Sequence, residues 1–547
     1  MADLVLGPLL RYVSETEATV WVEVDAPCEV EVLGRTEPSF GVGGCHYALV
    51  RIEGLEPGGE YEYEVSLDGE RRWPQAGSDL PPSRIQTFAP GHSVDIAFGS
   101  CRVALPHEEP FTLSKDEHED GRELDALQVL ARQMIRDDRE EWPELLFLLG
   151  DQVYVDEGAP QTRERIRAKR DTSEPPGEEV TDLEEYTWLY HEAWHPPLLR
   201  WLFSTVSVSM AWDDHDMSDD WNISRSWHEE MEAKQWWHER AVAGIVTYWI
   251  YQHLGNLSPR ELDENELYAQ VRGNPDATGI LRDWARGIGG TAAGVRWSFC
   301  RDIDGVRAIF LDSRAARVLT RERRSMFDDE VWEWFVEHCE GDFDHLLIGT
   351  TVPFLLSPGF HHLEAWSERL CDGAWGGLVA RASEKLRRAV DFDHWASFQF
   401  SFQRLRRLLE EVGAGKRGKA PASIVVMSGD VHHAYLAEMG FRSEAEVESA
   451  VVQAVCSPYR NPLEEKERRV VRAGFSRPFA AITRGLARLA GASAPGLGWR
   501  TAEGPYFDNQ VATLHLDGRS ASLRLDKTVA GEEDEQALEK TFERRLT

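Results

Sequence analysis

The sequence predicts an α/β core over residues 91–530, preceded by a small all-β unit over residues 1–90. Two observations carry this. Strict alternation marks residues 18–24, where Val20, Val22 and Val24 share one face and Thr19, Trp21 and Glu23 the other, and it returns at 60–65. Beyond residue 90 short uninterrupted runs of Leu, Ile and Val take over, separated by helical or loop segments, as in strands buried on both faces.

In the first unit, the Pro57-Gly58 turn followed by Tyr61 is similar to the tyrosine corner of a fibronectin-type or immunoglobulin-like sandwich, and equally compatible with any small β unit. Residues 77–83 read as a linker. Core strands are expected at 94–98, 145–149, 207–212, 306–311, 345–348 and 423–427. The Asp304-Gly305 pair predicts a hairpin, which makes the sheet mixed. Residues 157–185, charged and rich in proline, read as an insertion or mobile loop. Residues 531–547 open on an acidic run and read as a solvated acidic tail.

Lys plus Arg number 60 and Asp plus Glu 95, a net charge of −35. Such a surface repels nucleic-acid backbones and anionic lipid, so binding to either requires a local basic patch. Residues 464–490 are the one candidate, with Lys466, Arg468, Arg469, Arg472, Arg477, Arg484 and Arg488 beside Phe475, Phe479, Ile482 and Leu486. Two readings stand: an amphipathic helix pairing with the protein's own acidic surface, or a lid or docking surface for an anionic substrate, partner or membrane. Seven scattered cysteines, an odd number, argue against a disulfide framework. The N-terminus has neither a basic n-region nor a long apolar run, and the longest uncharged stretch, 346–363, is interrupted by Pro353, Pro358, Gly359, His361 and His362. A cytoplasmic location is the expectation.

In α/β sheets ligands gather beyond the carboxyl ends of strands. Those ends read Gly99-Ser100-Cys101, Gly150-Asp151-Gln-Val-Tyr154, Trp212-Asp213-Asp214-His215-Asp216 and Ser428-Gly429-Asp430-Val431-His432. Each alone is a common turn or cap. Together they bring thiolate, carboxylate, phenolate and imidazole to one side of a sheet, a set that repels itself unless cations neutralise it. A metal centre follows.

These four segments, with Leu311-Asp312-Ser313-Arg314, resemble in order and content the alkaline phosphatase D (PhoD-like) family of the calcineurin-like metallophosphoesterase superfamily, over about residues 92–525. The resemblance implies a four-layer α/β/β/α sandwich with an N-terminal β-sandwich domain, Fe(III) and one or two Ca(II) ions at the centre, and hydrolysis of phosphomonoesters or phosphodiesters. It places Asp214 among the metal ligands and His215 beside the leaving group, where an imidazolium stabilises or protonates the departing oxygen. Where the family often has Asn, this chain has Asp219, an anionic donor that favours a more highly charged or additional divalent cation; Asp219 and Asp220 read equally as a solvated loop pair. The segment from His361 and His362 to Gly373 resembles a pocket-lining loop, or simple packing.

The chemistry is coherent without the family. Cys101 and Tyr154 are anionic donors suited to trivalent iron, although other divalent metals remain admissible. Asp151 is able to bridge two cations, and Asp430 and His432, two residues apart, complete the ligand set; a pair of cations roughly 3.5–4 Å apart clamps a phosphoryl group. Arg314 reads either as a bidentate phosphate ligand or as a structural partner of buried carboxylates. Cys456 reads as core. Gly-x-Ser-x-Gly does not occur, nor does a Gly-x-x-x-x-Gly-Lys loop completed by Ser or Thr, so the expected mechanism is in-line attack of a metal-activated hydroxide on a small-molecule phosphate ester, without a phosphoenzyme. Nucleic acid is expected only as a diester substrate. The alternatives are a catalytically silent protein docking through the β-unit and residues 464–490, and redox chemistry at an iron held by Cys101 and Tyr154.

Overall fold

A computed structural model describes residues 1–290, 295–320, 323–531 and 535–547. The expected core strands all form, and they divide between two sheets. One runs in the order Ser207–Ala211, Leu145–Leu149, Val94–Gly99, Gln510–Asp517, Ser520–Val529, Ala537–Arg545. The other runs Phe299–Ile303, Val306–Leu311, His345–Thr350, Ser423–Ser428, Ala450–Val455, Ala434–Gly440, Gly498–Tyr506. Both are mixed. Leu145–Leu149 pairs in parallel with Val94–Gly99 and with Ser207–Ala211, whereas Asp304-Gly305 makes the expected antiparallel hairpin between Phe299–Ile303 and Val306–Leu311.

The two-residue period of each strand explains the layering. Leu145, Phe147 and Leu149 turn inward with Phe310, Leu347, Val425 and Met427 of the facing sheet, and the rings of Phe147 and Phe310 meet edge-on at 4.7 Å. Leu146 and Leu148 turn outward onto helices Ala126–Arg136, Leu183–Trp194 and Pro197–Thr205, while Leu346, Ile348, Ile424 and Val426 turn onto Asp329–His338 and Gln399–Gly413. The result is a four-layer α/β/β/α sandwich. Most tryptophans are packing residues, as in the stack of Trp212 on Tyr248 beside Trp221 and Trp297.

The N-terminal unit is all-β, with sheets built on Leu4–Val13, Glu17–Val24 and Cys45–Glu53 and on Glu29–Val32 and Val65–Leu67. The alternating run at 60–65 is not one strand. Glu60–Glu62 pairs with Arg84–Gln86, and Val65–Leu67 pairs with Glu29–Val32, so the chain changes sheets between them. Tyr61 accepts a hydrogen bond on its hydroxyl from the Glu56 N–H, 2.7 Å away. Arg11, fully buried, donates to the carbonyls of Val208, Tyr251 and Gln252 and ties this unit to the core.

Three expectations are corrected. Residues 157–185 are not a loose insertion: helix Pro160–Lys169 forms, and Arg167–Glu178 and Arg170–Glu185 ion pairs hold the following loop. The end of the chain is not a free tail, because Ala537–Arg545 pairs antiparallel with Ser520–Val529 as an edge strand, Leu538 and Phe542 packing inward while its charges face water. Glu532, Glu533 and Asp534 of the acidic run lie outside the described residues. The segment bearing His361 and His362 is helix Pro358–Cys371 rather than a loop; His361 packs against Phe402 and Trp499. Residues 464–490 form helices Glu465–Gly474 and Arg477–Leu489, with Arg468 3.5 Å from Glu123 and Arg469 3.1 Å from Glu465. Among the described residues no helix is long and apolar enough to cross a membrane.

Candidate metal centre

Four strand ends converge. Cys101, Asp151, Asp430 and His432 each follow a strand and each adopt a left-handed backbone, with φ of 58°, 53°, 67° and 51°. Such conformations cost non-glycine residues energy and persist only where the surroundings enforce them, characteristically at functional sites. Two glycines permit the close approach. At Gly150, with φ +110°, a Cβ would lie 2.7 Å from that of Asp213; at Gly429 it would lie 1.9 Å from Ser100 Oγ.

Buried Asp216 organises the loops. Its carboxylate accepts the backbone N–H groups of Asp151, Gln152, Val153 and Asp213, and the side-chain amide of Gln252. The second and third strand ends are thereby fastened to one anchor. The thiol of Cys101 lies 3.3 Å and the Tyr154 hydroxyl 3.5 Å from the same Asp151 oxygen, Oδ2. Asp151, Asp213 and Asp214 form a buried carboxylate group, each contributing an oxygen within 4.8 Å of the others, and among the described residues Asp151 Oδ1 and Asp213 Oδ2 have no hydrogen-bond partner. Burial, then the Asp214, Asp216 and Asp430 charges, pushes the Asp151 carboxyl far above its usual range, although His215 opposes this. Burial and the neighbouring Asp151 do the same to Cys101 and Tyr154. Crowded, desolvated anions with orphaned oxygens are what a cation stabilises, and carboxylate, thiolate, phenolate and imidazole donors match a metal.

Arg314 partly compensates this charge. Its guanidinium is buried and bonds Asp213 through Nε, Asp393 through Nη1 and Asp430 through Nη2 at 2.9 Å, with Asp214 at 3.2 Å. Of its two sequence readings, the contacts are those of the structural partner. Asp430 is further held by His394 Nε2 at 3.1 Å, and His394 Nδ1 by Glu364 at 2.7 Å. Burial opposes ionisation of Asp430, but the His394 hydrogen bond and Arg314 prevail and hold its carboxyl below the usual range. His432 is also driven down, to about 3, by burial and by Lys115, so it is a neutral imidazole.

His215 sits beside this group. Its ring stacks on Tyr154 at 4.4 Å, Nδ1 lies 2.9 Å from both oxygens of Asp156, and Nε2 lies 3.9 Å from Asp219. Burial disfavours the imidazolium, but Asp156 overrides it and raises the His215 pKa well above the ordinary value. Asp219 is exposed at 68% of its side chain and groups with Asp156 and His215, apart from the buried carboxylates. Cys456 is core, its thiol 3.8 Å from the Gln510 carbonyl.

Sequence reasoning named Asp213 and Asp216 in a strand-end segment without giving either a role, and missed Asp156, Asp393 and His394. Asp156 lies two residues beyond the tyrosine of the Gly-Asp-x-x-Tyr segment, and its importance shows only when His215 folds against it. Asp393 and His394 follow helix Gly377–Ala389 rather than a strand, so the strand-end rule passes over them.

The comparisons agree with this architecture. The family described as PhoD-like phosphatase matches residues 129–481, and a domain family of unknown function, DUF7800, matches residues 1–85. A solved structure of PhoD is similar with a TM-score of 0.59 at 13% identity, covering 100% of this chain and 92% of that one. A purple acid phosphatase, PPD1, from yellow lupin (Lupinus luteus) seeds has a TM-score of 0.47 at 12% identity, covering 95% of this chain and 71% of that one. Comparison with curated proteins gives no match. The match over 129–481 spans most of the chain and takes in the Gly-Asp-x-x-Tyr, Asp-Asp-His-Asp and Gly-Asp-Val-His segments, so this metal-binding hydrolase belongs to the PhoD-like phosphatase family.

Proposed function

We propose that this chain hydrolyses phosphomonoesters or phosphodiesters by in-line attack of an activated water on phosphorus, and that Cys101, Asp151, Tyr154, Asp214, Asp219, Asp430 and His432 hold its metals, ferric iron and one or two calcium ions. The observation that carries this reading is the buried carboxylate group around Asp151 with its orphaned oxygens. When bound, such cations supply Lewis acidity to the phosphoryl oxygens and lower the pKa of a water. Asp213, with one unpartnered oxygen, is a further donor that the geometry adds.

The protein's own residues do the rest. Asp156 fixes the Nδ1 side of His215 and favours the imidazolium, leaving Nε2–H to donate to the leaving-group oxygen. Tyr154 stacks on that ring and limits its rotation. Arg314 is a positioning residue here, keeping Asp213, Asp214 and Asp430 at fixed separations. The test is turnover of p-nitrophenyl phosphate against bis(p-nitrophenyl) phosphate, with and without chelator, in the parent and in His215→Asn. Metal-dependent turnover lost by about a hundredfold in the variant supports the reading; turnover of neither ester, or turnover indifferent to chelation, overturns it.

A further inference from the structure

A cavity of about 1930 Å³ opens beside the centre, with Asp219 and Asp220 in its wall. Elsewhere its lining is unusual for a chain of net charge −35. Arg387, on helix Gly377–Ala389, is 4% exposed; its Nη1 donates to Glu384 at 3.2 Å, while Nε and Nη2 have no hydrogen-bond partner among the described residues. Arg324 lines the same cavity. Its Nε donates to the Ser397 carbonyl at 3.0 Å, its guanidinium lies 4.0 Å over the Phe398 ring, and its Nη2 is also without a partner among the described residues. Arg381 and Lys385, one turn apart on the Arg387 helix, add charge to this wall.

A buried and a half-buried guanidinium group with orphaned buried donors are costly unless an anion meets them. Glu384 meets only Nη1 of Arg387, and Glu368 has both carboxyl oxygens on the Gln399 N–H, at 3.1 and 3.2 Å, while burial, opposed by Arg324, pushes its carboxyl up to about 8. Burial and then Arg387 lower the Arg324 pKa to about 9, an effect that Glu368 and Glu384 offset only in part. The pair is also wired to the centre: Arg317, whose charge acts on Arg324, bonds Asp393 at 3.1 Å, and Asp393 bonds Arg314.

We propose that this cavity is a substrate subsite for a second anionic group, a phosphate or carboxylate carried on the leaving-group side of the ester, with Arg387 and Arg324 as its ligands. The proposal rests on the phosphoesterase reading, and it narrows the substrate class to esters bearing two separated anions. Planar guanidinium donors suit either oxyanion, and the cavity is wide enough for the linking portion.

The experiment uses the metal-loaded protein with propane-1,3-diol and hexane-1,6-diol bisphosphates, each paired with its alkyl monophosphate, and p-nitrophenyl phosphate as reference. For at least one length, KM for the bisphosphate is expected to be about tenfold below that of its monophosphate. That ratio should collapse towards one in Arg387→Gln and return in part in Arg387→Lys, whereas Arg519→Gln, on a distant exposed ion pair, leaves it intact. A merely structural role for Arg387 would lower kcat on all esters alike without moving the ratio. Should Arg387→Gln fail to fold, Arg381→Glu with Lys385→Glu on the exposed helix face is expected to cut the same ratio. The subsite is overturned if p-nitrophenyl phosphate turns over but no bisphosphate is preferred, or if the preference survives Arg387→Gln. Turnover of bis(p-nitrophenyl) phosphate but of no monoester also overturns the subsite, whereas turnover of neither p-nitrophenyl ester in the parent would instead sink the phosphoesterase reading, and the substrate subsite with it.

Discussion

Both carboxylate oxygens of Asp156 lie 2.9 Å from Nδ1 of His215, and the imidazole they hold is stacked on Tyr154. This arrangement directs Nε2 away from its anchor, and the charges of Asp214 and Asp151 join Asp156 in favouring the imidazolium. Asp156 thus acts through His215.

Replacing Asp156 with Asn removes the charge that sustains the imidazolium while keeping the shape. We expect kcat on p-nitrophenyl phosphate to fall about ten- to a hundredfold with KM little changed, since the interaction matters most as the leaving group departs. Steady-state kinetics of Asp156→Asn beside His215→Asn checks this; a rise in KM alone would assign Asp156 to substrate binding.

Arg314 neutralises a set of carboxylates that otherwise repel. Arg314→Met should lower the unfolding free energy of the metal-free protein by about 3–5 kcal/mol, the usual cost of orphaning buried charge. Metal loading should return part of that loss. Urea unfolding with and without chelator measures both, and an equal loss in the two states would separate Arg314 from the metal centre.

Cys101 and Cys456 are both buried thiols after strands, but only Cys101 reaches Asp151. Element-resolved analysis should find less iron per chain in Cys101→Ser and none of that loss in Cys456→Ser. Equal iron in the two variants would reduce Cys101 to packing.

Glu144 supplies a pH dependence of stability away from the centre. Burial, opposed by the Asp95 N–H it accepts at 2.7 Å, raises its carboxyl from 4.5 to about 7. The native state therefore holds this proton more tightly than the unfolded chain does between these values. Stability from this group is fully present below about pH 4.5, declines as pH rises to about 7, and is flat above, a difference of about 3 kcal/mol. Glu144→Gln should flatten that decline in denaturant titrations from pH 5 to 8; a curve parallel to the parent's would refute the assignment.

Much of the fold was legible because burial imposes a local pattern. Runs such as Leu145 to Leu149 are apolar on both faces only when sheets and helices cover both, and the polar residues following them mark the ligand-binding edge. The edge strand Ala537–Arg545 was not legible in this way, since its charged solvent face hides two inward apolar residues.

By itself the sequence determined the layered α/β core, the all-β N-terminal unit and the strand-end segments that carry Cys101, Asp151, Tyr154, Asp214, Asp430 and His432, because strand ends and residue chemistry are local properties. Tertiary structure alone decided that Arg314 faces carboxylates, that Asp156 and His394 serve His215 and Asp430, and that Arg324 and Arg387 share one cavity. The reason is physical: charge compensation acts through space between side chains tens to hundreds of residues apart, and no periodicity along the chain records which partner each charge meets.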